Sequence, residues 1–289
     1  MNKGLENVSN LKITPLRLPQ IKTSFLPTIM TLSSPFFPIN RCQLKNDAII
    51  EPIIIENPWG KIKVTDRRLS IYDETVLLSL LMLLKNYDSN TFQTTPYELC
   101  KLMNVKPSKN TYHAIMKSLH RMSEAHITME RRKSKNHNHA KVDMEGPLII
   151  SITKNKDSKK IVLELNLYLL SSFRGQLITP IDIRLRSELC GDISKALYRF
   201  YEGQKLNCYT ISIMKLSKAI NMCSDGNIHS LRLKLRQALR ELEMGGYLRR
   251  FILPDRGEVV AIFKSRNRFL NDYIYDLKHG NINQEVVKF

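Results

Sequence analysis

An α+β fold, helix-rich and built as two winged-helix domains in tandem behind an N-terminal arm, is predicted by two observations. The first is a pattern that occurs twice. Residues 94–129 and residues 209–251 each run through a short amphipathic helix, a polar turn, a longer amphipathic helix and a β-like run. The second is the register between the copies. Leu99, Met103 and Asn104 correspond to Leu216, Ile220 and Asn221 at an offset of 117, and Leu119 and Met122 to Leu239 and Leu242 at an offset of 120. The slippage falls in the turn, where insertions are tolerated. Helix, turn, helix and β-wing is the element order of a winged helix.

Residues 1–55 read as a flexible arm, with a partner-binding peptide or a strap along the first domain as alternatives. Half of the twelve prolines lie there, which forbids long helices, although Phe25, Leu26, Ile29, Met30, Phe36 and Phe37 are apolar. The first winged-helix domain is assigned to residues 56–180. Residues 59–64 alternate like a strand. Residues 69–84 follow as a helix with Ser70 as N-cap, Asp73 as its acidic partner, and Val76, Leu77, Leu80, Leu81 and Leu84 as buried stripe. Thr95-Pro96 opens the next helix with a cap and a proline in the first turn. Residues 104–110 make the turn. The third helix covers 111–125, with Tyr112, Ile115, Met116, Leu119 and Met122 at helical spacing. Residues 127–130, 148–153 and 160–165 are predicted to form a three-stranded wing, with the basic tract 131–141 at its tip.

The second domain is assigned to residues 181–266. A short helix or turn at 166–173 and a strand at 181–185 lead to a helix over 193–204, which packs Leu197, Phe200 and Tyr201 inward. A short strand follows at 209–211, then helices at 212–220 and 228–244. Gly245-Gly246 ends the last helix where a C-terminal glycine belongs. Residues 247–253 and 258–263 form a hairpin wing around the turn Pro254-Asp255-Arg256-Gly257. Residues 267–289 are a C-terminal tail.

Charge decides the class of partner. Lys and Arg number 45 against 27 Asp and Glu, a formal net charge of +18 over 289 residues. Such an excess attracts polyanions. No apolar run reaches the length of a membrane span, and prolines and lysines interrupt the N-terminus, so a membrane surface gives way to nucleic acid. The five cysteines, Cys42, Cys100, Cys190, Cys208 and Cys223, are scattered, with no CxxC pair. That fits a reducing cytoplasm.

In a helix-turn-helix the second helix enters the major groove with its N-terminal half on base edges. In the second copy, Ile228, Leu231, Leu235, Leu239 and Leu242 face the core. The candidates for base reading are Asn227, His229, Ser230, Arg232, Lys234 and Arg236, because arginine pairs bidentately with guanine and amides suit adenine. Arg240, Arg249, Arg250 and Arg256 lie toward the helix end and wing and are assigned to phosphates. In the first copy Lys109, Asn110, Lys117 and Arg121, with Arg131, Arg132, Lys133 and Lys135 of the basic tract, are also assigned to phosphates. That surface alternatively contacts protein. A solvated basic face is the plain alternative for the second copy.

No catalytic residue, metal site or cofactor is assigned. The His137–His139 pair has the spacing of a metal-ligand pair, but it sits in a polar, basic loop and reads better as a phosphate contact. The chain lacks a Walker-type phosphate loop, and its acidic residues are too scattered for two-metal phosphoryl chemistry. An enzyme is therefore not expected.

Residues 94–103 (TTPYELCKLM), 111–122 (TYHAIMKSLHRM), 165–182 (LNLYLLSSFRGQLITPID) and 193–205 (ISKALYRFYEGQK) resemble plasmid replication initiators of the tandem winged-helix, iteron-binding class. This class includes the TrfA and RepE types, and the chain is closer to TrfA. The resemblance covers roughly residues 55–265. It implies binding of double-stranded origin repeats, most base contacts from the second domain, and backbone contact and dimerisation through the first. It also implies opening of an AT-rich segment and recruitment of DnaA and the replicative helicase, all in the bacterial cytoplasm on plasmid DNA. A winged-helix transcriptional regulator, or autorepressor, is the alternative reading.

Overall fold

The computed structural model describes residues 23–39, 48–57, 60–84, 87, 89–131, 141–154, 160–171, 173, 178–222 and 227–265. The chain begins with β1 (Thr23–Pro27), α1 (Thr28–Leu32), β2 (Phe36–Phe37), β3 (Ala48–Asn57), β4 (Gly60–Arg67), β5 (Leu69–Ser70) and α2 (Ile71–Leu84). Next come β6 (Thr91–Thr94), α3 (Pro96–Met103), α4 (Lys109–Glu124), β7 (His126–Arg131), β8 (Lys141–Gly146), β9 (Ile149–Lys154) and β10 (Ile161–Leu165). A link of α5 (Leu167–Ser171), β11 (Ile178–Asp182) and α6 (Ile183–Glu188) leads to α7 (Asp192–Gln204), β12 (Cys208–Ser212), α8 (Ile213–Ala219), α9 (Ile228–Met244), β13 (Leu248–Ile252) and β14 (Val259–Lys264).

The repeat is visible in topology. α2, β6, α3, α4, β9 and β10 repeat as α7, β12, α8, α9, β13 and β14. The three-stranded sheets have the orders β6-β10-β9 and β12-β14-β13, so the first short strand pairs with the last in each. Both units thus carry the element order of a winged helix. Local chemistry repeats too. The Thr95 hydroxyl caps α3 by accepting from Glu98 N–H, and Ser212 caps α8 by accepting from Lys215 N–H. Asn104 and Asn221 both sit in the left-handed region, at φ 56 and φ 57. Around them Val105 N–H donates to Cys100 O (3.0 Å) and Met222 N–H to Ser217 O (2.8 Å), the Schellman closure of a helix end. Asparagine tolerates the left-handed conformation better than other residues with a Cβ.

Residues 183–185, expected in a strand, instead open α6, and two further expectations are corrected. Strand β7 does not belong to the first unit's wing. It joins the antiparallel sheet β3-β4-β7-β8, and the wing strands of that unit are β9 and β10, paired with β6. The excursion through β7 and β8 is an insertion. The chain leaves at the end of α4 and returns so that Leu148 N–H donates to Met122 O (3.1 Å). In the second unit the equivalent carbonyl, Leu242 O, accepts directly from Tyr247 N–H (3.0 Å), with Gly246 at φ 74 making the turn.

The second correction concerns the arm. Residues 23–39 are a buried strap, not a flexible arm, and β3 within 48–57 is a strand of the four-stranded sheet; residues 1–22 lie outside the described residues. β1 pairs with β11 from Thr23↔Asp182 to Pro27↔Ile178, and β2 pairs in parallel with β5. Leu26, Met30 and Phe36 are fully buried. Ser24 Oγ donates to Leu78 O of α2 (2.8 Å), while Asn221 Nδ2 donates to Ser34 O (2.6 Å). The strap therefore touches both units. α1 lies so close to α7 that a Cβ at Gly203 would collide with Thr31. The prolines cost no ladder bond here: Pro27 ends its strand, and Pro52 falls at the register shift between Ile49 and Ile53.

The units also meet through charge. Glu74 of α2, buried, is ion-paired to Arg199 of α7 and to Arg186 of α6, the latter at 3.3 Å. All three side chains are essentially inaccessible. Burial pushes the Arg199 guanidinium below its usual range, with Glu74 pulling against that and Arg186 reinforcing it. Such a triad is costly to desolvate and more costly to break.

Candidate nucleic-acid interface

The second unit presents α9 between the α8 turn and the hairpin wing. Leu231, Leu235, Ala238, Leu239 and Leu242 are buried, with Ile228 half-buried. Spacing of three and four residues carries His229, Leu233, Gln237, Arg240 and Met244 along the opposite face, and all five are exposed. Lys234 is exposed on one flank. The helix starts at Asn227, whose Oδ1 accepts from His229 N–H (2.9 Å) and Ser230 N–H (3.4 Å). Asn227 thus serves first as a helix cap; Ser230 is half-buried beside it.

Arg232 and Arg236 differ from the expectation that they face a groove. Arg232 is 8% exposed and its Nη2 donates to Gly257 O in the wing turn (2.7 Å). Arg236 donates through Nη2 to Leu253 O (3.2 Å) and is ion-paired with Asp255 (2.5 Å). Both lie on the flank toward the wing, and both hold the wing turn against α9. Arg249, Arg250 and Arg256 remain exposed on β13 and the turn. The second unit therefore exposes basic residues from a helix face and a wing fixed to it.

In the first unit α4 is capped by Ser108, which accepts from Thr111 N–H (3.1 Å). Lys109, Asn110 and Lys117 are exposed, together with His113 and His120. Arg121, assigned to phosphate, is instead paired to Asp73: its Nη2 donates to Oδ1 at 2.6 Å and its Nε to Oδ2 at 3.2 Å, with Asp73 buried. Asp73 Oδ2 also accepts from Ser70 N–H, completing the predicted cap of α2. The same register in the second unit makes the same tie with the opposite charge. Glu241 accepts from Gly191 N–H (3.1 Å) and from the Ser194 hydroxyl at the start of α7. Neither residue could be separated from surface charge by sequence spacing, because the partner lies on a distant helix. The side chain of Arg131, and Arg132, Lys133, Lys135, His137 and His139 altogether, lie outside the described residues.

Among the described residues no group of three or more His, Cys, Asp or Glu is placed to hold a metal ion. No helix there is long and apolar enough to cross a membrane.

The model of the replication initiator protein A family matches residues 53–248. No curated protein sequence matches the chain. Among solved structures, domains 2 and 3 of RctB superpose with a TM-score of 0.55 at 10% identity, covering 83% of this chain and 98% of that one. The Pi initiator protein, solved in complex with iteron DNA, superposes with a TM-score of 0.50 at 14% identity, covering 69% of this chain and 93% of that one. At such identities the likeness is one of fold.

Proposed function

This chain belongs to the replication initiator protein A family, and on that premise we propose that it binds repeated double-stranded sites at a plasmid origin, helps open the adjoining duplex and recruits host replication proteins such as DnaA and the replicative helicase. One observation carries the reading: two helix-turn-helix units in register, held as one body, expose different faces. α9 offers hydrogen-bonding and apolar groups beside a basic wing, a set suited to base edges. α4 offers lysine and histidine, a set suited to phosphates. That the Pi initiator was solved with iteron DNA supports the same partner. The first unit is assigned backbone contact and self-association. The protein acts in the bacterial cytoplasm through binding alone, with no cofactor and no chemical step.

The test begins with selection of bound sites from random duplex DNA by the purified full chain. Recovery of one site that also recurs as direct repeats next to an AT-rich tract beside the gene is the expected result. Permanganate reactivity of thymines in that tract should rise when the protein binds. Specific binding with no unpairing at any concentration would replace this reading by that of a transcriptional regulator. Recovery of no preferred site would overturn it.

A further inference from the structure

We infer that Leu233 is a specificity-determining residue which reads the C5-methyl group of thymine in the major groove. The inference rests on α9 being the reading helix. Leu233 is 68% exposed, in the N-terminal half of α9 (Ile228–Met244). A single exposed leucine is ordinary on a protein surface. Three features make this one informative.

First, it stands on the outward stripe of the helix, one turn from His229 on one side and from Gln237 on the other, both exposed. Its surroundings are polar and basic, so it is not the rim of an apolar patch for a protein partner. Their charge suits a polyanion. Second, Arg232 and Arg236, its near neighbours on the wing flank, are committed to Gly257 O, Leu253 O and Asp255. The wing turn thus withdraws two arginines from the helix face and leaves Leu233 standing clear. Third, the residue at the same register of α4 is His113, also exposed, so neither the fold nor the packing of the unit asks for an apolar side chain there. In the major groove the thymine methyl is the apolar feature of the base edges, and an apolar side chain is what recognises it.

The test uses the full chain and its selected duplex site. Each thymine is replaced in turn by deoxyuridine, which removes only the methyl group. For the unaltered protein, one or two positions should lose about fourfold in affinity, the value of one buried methyl-sized group. Leu233→Ala should bind the unmodified site more weakly by a similar factor and show no further loss at those positions. Its thermal unfolding should be unchanged, because the side chain packs on nothing in the core. Equal sensitivity to deoxyuridine in the two proteins would overturn the inference, as would insensitivity of the unaltered protein at every thymine. Gln237→Ala and Lys234→Ala, both exposed on α9, separate the two levels of failure. If they abolish site preference while the deoxyuridine result is negative, only the role of Leu233 falls. If they leave preference intact, α9 is not the reader, and the assignment of Leu233 falls with it.

Discussion

α4 and α9 are the same helix on the inside and different helices on the outside. At an offset of 120, Ile115, Leu119 and Met122 superpose in register on Leu235, Leu239 and Leu242, and all six are buried. On the outward face the sequence Lys109, His113, Lys117, His120, Glu124 stands where the other helix has His229, Leu233, Gln237, Arg240, Met244. Packing fixes the inner set, since close-packed interiors punish changes of volume. The outer set answers to solvent and partner, except for Glu124, which is ion-paired with Arg67 (2.7 Å). A face of lysines and histidines supplies charge without sequence information. A face that carries amide and aliphatic groups can tell base pairs apart. The proposed division of labour between the units therefore rests on about five positions on each of two helices.

The comparison fails at its root if the two faces are not carried by one body. Glu74 is the place to break it. Glu74→Gln removes the carboxylate with which the buried Arg186 and Arg199 are both paired. Removing one member of a buried ionic group costs about 3–5 kcal/mol. Denaturant unfolding of the variant should show that loss, and specific DNA binding should fall as the units lose their common frame. A loss under about 1 kcal/mol, with binding intact, would mean that the strap alone holds the units together.

The next largest effect contrasts the helices directly. Gln237→Ala on α9 should cost about 1–3 kcal/mol at the preferred site and little on random DNA. Lys117→Ala, at the same register on α4, should weaken both alike and lower the slope of log affinity against log salt by about one. Fluorescence anisotropy over a salt series measures both. If Lys117→Ala costs more at the preferred site than on random duplex, the first unit reads sequence too, and the asymmetry is wrong.

How far these features were legible varies with their range. The paired asparagines, the caps at Ser70 and Thr95 and the third-helix cores are local, so spacing alone located them, whereas the caps at Ser108, Ser212 and Asn227 went unread. The partner of β7 was not legible. Alternation over 127–130 announces a strand but not its neighbour, and the true neighbours, β4 and β8, lie on either side in the chain. The strap was hidden by its prolines, which mark breaks in helix without telling whether the chain between them is buried. Arg121, Arg232 and Arg236 share one cause. Each sits on the flank of an amphipathic stripe, where a cation is equally placed to meet solvent or a neighbouring element. The acceptors that claim them, Asp73, Gly257 O, Leu253 O and Asp255, come from outside the helix.

That flank supplies the smallest and most discriminating effect. Arg236 is partly exposed and Asp255 is almost wholly so. An exposed ion pair contributes about 0.2–1 kcal/mol to stability, so Asp255→Ala should leave unfolding nearly unchanged. Its effect on DNA binding has a definite sign. With the carboxylate gone, Arg236 keeps only Leu253 O, one negative charge leaves the wing, and Arg256 beside it meets phosphate unopposed. Affinity for random duplex should therefore rise severalfold and the salt slope should steepen, while preference for the selected site narrows. Among the described residues no carboxylate contacts the outward lysines of α4, Lys109 and Lys117, so neither Lys109→Ala nor Lys117→Ala should produce the same pattern. If Asp255→Ala lowers affinity for every duplex, the pair acts as a strut that sets the wing angle, and holding the wing matters more than the charge it conceals.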